Sequence, residues 1–265
     1  MKQLSVIGIG AGDPDYVTIQ AVKAMNRVDV FFVVDKGPAK DDLARLRRDI
    51  CERHIEATSS YRFVPVDDPV RDRTAPAYGP AVEAWREERA ALYEQLIEDE
   101  LGDDETGGFL VWGDPSLYDG TLAMLDAVLG RGRVRFDYEV IPGISSVSAL
   151  AARHRVPLNR VGEAVQITTG RRLASALAGD IDNASALAGD IDNVVVMLDG
   201  ECAFADVTGD DIDIYWGAYL GTEDEILVSG PLHQRSADIR RIRADAKARK
   251  GWMFDTYLLR RTTAE

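Results

Sequence analysis

The chain has 265 residues, above the usual single-domain size, so one large or two modest domains are expected, with a core that needs no disulfide or metal staple. Lys plus Arg number 31 against 45 Asp plus Glu, and the formal net charge of −14 disfavours general attraction to a nucleic-acid backbone or an anionic bilayer. At 46% hydrophobic and 29% charged the composition is globular, and no apolar run approaches the roughly 18 residues that a spanning helix needs.

The first segments read as strand, loop, helix, strand. Residues 4–9 are a short apolar run that ends in Gly8-Ile9-Gly10-Ala11-Gly12, and Thr18 can N-cap a helix carrying Ile19, Val22 and Met25 on one face. Residues 28–34 are β-branched and aromatic and too short for a helix, so a parallel sheet is expected. Over residues 82–101 the spacing of Val82, Trp85, Leu92 and Leu96 predicts a surface helix closed by Gly102. Residues 109–112 read as a buried strand delivering Gly113-Asp114-Pro115, residues 122–129 as a helix, and residues 138–141 as a strand ending at Pro142-Gly143. Each of these strands meets a glycine-containing loop at its carboxyl end, where open α/β sheets bind their ligands.

A helix over 145–155 is followed by β-rich runs at 165–168, 194–198, 214–220 and 225–228, then a helix over 236–250 and a last strand over 253–259. This is read as a second α/β domain, giving expected domains 1–143 and 144–265. Residues 174–183 recur without change as 184–193. Two copies of a ten-residue unit do not make a solenoid, and a tandem duplication in a surface connection is the economical reading.

The two cysteines, Cys51 and Cys202, lie far apart, and the amino terminus runs straight into an apolar strand with no secretory layout. Both features suit a reducing cytoplasm. The three histidines, His54, His154 and His233, are dispersed without ligand spacing and read as packing or surface residues, so no metal is expected.

Gly8-Ile9-Gly10-Ala11-Gly12 with Asp35 closing the next strand tempts toward a dinucleotide fold. Its third glycine comes one residue early, however, and Asp13-Pro14 places a negative charge and a missing N–H where a pyrophosphate wants a bare helix N-terminus. Gly113-Asp114-Pro115 is a common turn by itself, and Ser145 and Ser146 after Pro142-Gly143-Ile144 read singly as helix caps. In combination, Val6-Ile7-Gly8-Ile9-Gly10-Ala11-Gly12-Asp13-Pro14, Gly113-Asp114-Pro115 with Leu117-Tyr118, and Pro142-Gly143-Ile144-Ser145-Ser146 are more specific. In order and spacing they resemble the tetrapyrrole (corrin and porphyrin) methyltransferases over essentially the whole chain. Within that family the segments at 33–37, 111–115, 198–204 and 214–222 are most similar to its deacetylating branch.

The resemblance implies an α/β protein of two domains with five-stranded sheets, a homodimer, and S-adenosylmethionine held in the cleft between the domains. It implies contacts to that cofactor from Gly113, Asp114, Leu117, Ser145, Ser146, Met197 and Gly221. Relatives commonly carry a proline in the first loop, where this chain has Ala11. The implied reaction is methylation of a corrin precursor at C-1 with release of the extruded acetyl group as acetate, for which a general base is needed. Asp35 is the first candidate for that base and Tyr118 the second. A polycarboxylate macrocycle must find local cations on so acidic a chain, and Lys36, Arg171 and Arg172 are the expected carboxylate contacts, with Lys40, Arg45, Arg71 and Arg73 in reserve. Methylation at another ring position, the family's rRNA branch, a non-catalytic tetrapyrrole carrier and a nicotinamide enzyme are the alternatives.

Overall fold

A computed structural model describes residues 1–35, 41–67, 69, 78–177 and 192–262, and it divides into two units, Met1–Ser145 and Ser146–Glu265. The first unit is built on a five-stranded sheet, all parallel, in the order β3-β2-β4-β1-β5. Its strands are β1 (Lys2–Gly8), β2 (Val30–Asp35), β3 (Arg62–Asp67), β4 (Thr106–Val111) and β5 (Phe136–Ile141). Residues 4–8 of β1 and 107–111 of β4 are buried without interruption, as central parallel strands covered on both faces are. Pro65 lies in β3 at the sheet edge, where a missing N–H costs no ladder bond.

Helices α1 (Ile19–Met25) and α2 (Asp41–His54) cover one face, where Ile7, Phe31 and Leu110 pack with Ala24, Met25, Ile50 and Cys51. Helices α3 (Tyr78–Glu100) and α4 (Thr121–Arg131) cover the other, where Val6, Phe32 and Phe109 pack with Tyr93, Ile97 and Leu125. The buried stripe of α3 is Ala90, Tyr93, Ile97 with Leu101 beyond its end, so the face expected from Leu92 and Leu96 is only partly buried. The shift has a physical cause, because Tyr93 brings a large ring against Phe109 at 5.9 Å between centroids. Helix α2 and strand β3 lack a clean apolar period and are additions to the elements that the sequence pattern predicts.

The second unit contains α5 (Ser146–His154), β6 (Gln166–Thr169), α6 (Gly170–Leu177), β7 (Asn193–Met197), β8 (Ile212–Ala218), β9 (Ile226–Pro231), α7 (Leu232–Lys250) and β10 (Asp255–Arg261). Its sheet runs β6-β7-β10-β8-β9, with β6 parallel to β7 and every other pair antiparallel. The last strand therefore inserts at the centre of the sheet, and Tyr257, Leu258 and Leu259 are fully buried there beside Val195 and Trp216. Helix α7 ends at Gly251, whose φ of 77° allows its N–H to reach Lys247 O at 2.8 Å. Most of the duplicated segment lies outside the described residues.

One side chain of α7 is charged and buried. Arg243 donates from Nε to Asp255 Oδ2 at 2.8 Å, and Trp216 Nε1 donates to the same oxygen at 3.0 Å. Asp255→Ala would strand that guanidinium in the core, with an expected loss of about 3–5 kcal/mol in unfolding free energy measured by urea denaturation.

Candidate functional site

The order β4-β1-β5 sets three loops side by side at the carboxyl end of the first sheet, and glycine lets them touch. Gly10 N–H donates to Gly113 O at 3.2 Å and Gly113 N–H donates back to Gly10 O at 2.8 Å, so the first and second loops are bridged like a pair of strands. A Cβ on Gly143 would stand 2.1 Å from Gly113 O and 2.9 Å from Gly8 Cα, and one on Gly8 would stand 2.6 Å from Gly143 N. No side chain fits in that crossing. Gly113, by contrast, has a φ of 72°, a conformation that glycine adopts without strain, and a Cβ there would meet nothing nearer than Ser145 Cα at 3.8 Å.

Asp114 ties the crossing together. Its Oδ2 accepts from Gly143 N–H at 2.9 Å, and its Oδ1 accepts from Ser116 N–H at 2.8 Å and from the Ser116 hydroxyl. Partial burial alone would raise its pKa, but the Ser116 hydroxyl and the two backbone donors outweigh that and hold it below the ordinary aspartate range. Its carboxylate is thus committed to its own loops, a role the sequence did not separate from ligand contact.

The first loop does not lead straight onto a helix. Asp13 caps a single 3-10 turn, Pro14–Tyr16, through Asp15 N–H at 2.8 Å, and α1 starts only after Thr18, whose hydroxyl accepts from Ala21 N–H at 3.0 Å. The glycines therefore point no helix N-terminus at a pyrophosphate. Leu117 is half-buried with its N–H on Asp114 O at 3.2 Å, and Tyr118, 46% exposed, adopts a left-handed φ of 54°. Asp35 ends β2, while Lys36, Lys40, Arg71 and Arg73 lie outside the described residues.

Beyond Phe32–Phe109 the β2–β4 ladder stops, and Arg47 of α2 donates from Nε to Leu110 O at 3.1 Å there. Burial lowers its pKa against the opposing pull of Asp119, yet an arginine stays charged. No sequence signal marks this cation, because its place depends on where two strands part. Cys51 is inert, its thiol pushed up to about 12 by burial and then by Glu52.

In the second unit Ser146, at the start of α5, accepts from the Thr256 hydroxyl at 3.1 Å. Met197 ends β7, half-buried, and Gly221, with φ 76°, donates its N–H to Glu225 Oε2 at 2.9 Å. Arg171 and Arg172 are exposed in the first turn of α6, directly after β6. Cations at a helix N-terminus gain nothing from the helix dipole. Among the described residues no group of three or more His, Cys, Asp and Glu could hold a metal ion.

The model of the tetrapyrrole (corrin/porphyrin) methylases matches residues 3–235. The chain belongs to that family. A methylase of this kind from Sinorhizobium sp, precorrin-6A synthase [deacetylating], is 46% identical over 98% of the chain and 96% of its own length. A solved cobalamin-synthesis-related protein (CobF) from Corynebacterium diphtheriae is 36% identical, with a TM-score of 0.79 over 99% of the chain and 100% of its own. Uroporphyrin-III C-methyl transferase from Thermus thermophilus, solved with S-adenyl homocysteine, shares the fold at a TM-score of 0.56 and 14% identity, over 97% of the chain and 91% of its own. The two five-stranded sheets expected from the family resemblance are thus those of a tetrapyrrole methylase.

Two outcomes test the crossing of this methylase. Gly143→Ala must push the second loop aside, with an expected cost of about 1–3 kcal/mol read by denaturant unfolding. Because the folded pKa of Asp114 is depressed, its contribution is complete above the ordinary value near pH ~4 and is lost as pH falls through the folded value. The stability difference between wild type and Asp114→Asn should therefore be constant near neutrality and shrink below pH ~4.

Proposed function

We propose that this methylase is an S-adenosylmethionine-dependent C-methyltransferase of cobalamin biosynthesis that methylates precorrin-5 at C-1, releases acetate and forms precorrin-6A. The observation that carries the reading is the near-full-length 46% identity to a deacetylating precorrin-6A synthase. The left-handed glycine Gly113 and the carboxylate of Asp114 beside it, held below the ordinary aspartate range, suit a cationic ligand bound along the loop backbone. They are poor company for a pyrophosphate, which weighs against a nicotinamide enzyme.

In this reading Gly113, Asp114, Leu117 and Ser145 of the first unit, and Ser146, Met197 and Gly221 of the second, hold the cofactor. Asp114 acts through the Gly143 bond, fixing the loop that carries Ser145. When bound, S-adenosylmethionine supplies an electrophilic methyl group. The protein orients a nucleophilic ring carbon toward it and keeps water away, and alignment of that kind can contribute several kcal/mol. Arg171 and Arg172, with Lys36, take substrate carboxylates through charge-assisted hydrogen bonds.

Acetate release needs water made nucleophilic. Asp35 at the end of β2, or Tyr118 as its phenolate, accepts the water proton as the water oxygen adds to the acetyl carbonyl. The carbon–carbon bond to the ring then breaks, its electron pair stays on the ring carbon and acetate departs. Among the described residues no helix is long and apolar enough to cross a membrane. A cytoplasmic homodimer completes the proposal.

Incubation with S-adenosylmethionine and enzymatically generated precorrin-5 should yield acetate one-for-one with a singly methylated product by mass spectrometry. Asp35→Asn should lower kcat by about 10²–10⁴-fold if that carboxylate is the base. Methylation without acetate would overturn the deacetylating assignment, and cofactor uptake with neither product would leave a carrier or another ring position.

A further inference from the structure

Leu198 follows Met197 at the end of β7 and combines two unfavourable features, a left-handed φ of 53° and an apolar side chain 60% exposed. A branched aliphatic residue has no local reason to adopt that backbone, so its surroundings must impose it. The next residue shows how. Asp199 is 3% exposed, its Oδ1 accepts from Glu201 N–H at 3.1 Å, and its Oδ2 accepts from Ala203 N–H at 2.7 Å and from the Tyr257 hydroxyl at 2.7 Å. Arg243 Nη2 donates to the Asp199 carbonyl at 2.5 Å, while its Nε is held by Asp255.

The same carboxylate touches the start of α6. A Cβ on Gly170 would lie 2.4 Å from Asp199 Cγ, so the backbone before Arg171 and Arg172 rests directly on this side chain. One buried acid thereby registers the end of β6, the end of β7 and the centre of β10. With Asp199 drawn inward, the turn leaves Leu198 only the outward, strained course.

We propose that Leu198 is held out as an apolar contact for the adenosyl cofactor and that Asp199 is the positioning residue that holds it there. This rests on the cofactor reading above and adds to it a contact and its support. The strain is retained because the exposed side chain has work in the bound state, and removing the side chain should separate stability from binding.

S-adenosylhomocysteine titrated calorimetrically into wild type, Leu198→Gly, Asp199→Asn and Tyr257→Phe tests it, with thermal melts of the same samples. Glycine accepts the positive φ without strain, so Leu198→Gly should raise Tm by about 2–4 °C while weakening binding about tenfold. Asp199→Asn sets an amide against the Ala203 N–H and should weaken binding by a similar factor in the folded protein. If that variant does not fold, Tyr257→Phe, which keeps the shape and loses one donor, should still weaken binding about threefold. Wild type that takes up no S-adenosylhomocysteine would overturn the cofactor reading itself. Wild-type binding with an unchanged Kd for Leu198→Gly would overturn the contact alone, and a lowered Tm with unchanged Kd for both hub variants would make Asp199 merely structural.

Discussion

The hydrogen bond from Gly143 N–H to the Asp114 carboxylate is the constraint on which the first unit's site depends. It spans two strands that are not neighbours, β4 and β5, over the end of β1 that lies between them. The backbones can cross there because Gly8 and Gly143 approach at distances that would expel a Cβ, one on Gly143 standing 2.1 Å from Gly113 O. An ionised acceptor strengthens the bond, and the Ser116 donors keep the acid ionised. Three loops are therefore held together by one carboxylate and two missing side chains.

The second unit solves the same problem with a buried acid. Asp199 satisfies two backbone N–H groups and a tyrosine, and Arg243 joins its carbonyl to Asp255 and Trp216. A buried polar network of this kind is costly when incomplete and rigid when complete. Burial first, and then Asp199, raises the Tyr257 phenol far above its ordinary range, so it remains a neutral donor. The rigidity falls at the carboxyl ends of β6 and β7, where Arg171, Arg172 and Met197 stand.

Much of the architecture was legible in the amino-acid order. Apolar runs located β1, β2, β4 and β5, Thr18 marked the start of α1, and Gly251 closes the helix expected to end at 250. Strand β3 escaped because Pro65 and its alternating exposure make it an edge strand with a weak pattern, and α2 escaped because its charged residues blur the period. The glycine loops were visible as motifs, but that Asp114 bonds to Gly143 was not, since the two are 29 residues apart.

The family, the strand-and-loop order and the residue types at each loop can be read from the amino-acid order alone, because local propensity, hydrophobic period and turn chemistry act over a few positions. Which loops touch, the insertion of β10 between β7 and β8, and the partners that Arg47, Arg243, Asp199 and Asp255 find were set by the tertiary fold. The reason is physical. A charge is stabilised in a core only by partners that distant segments bring to it, and a left-handed leucine such as Leu198 is tolerated only where those partners leave it no other course.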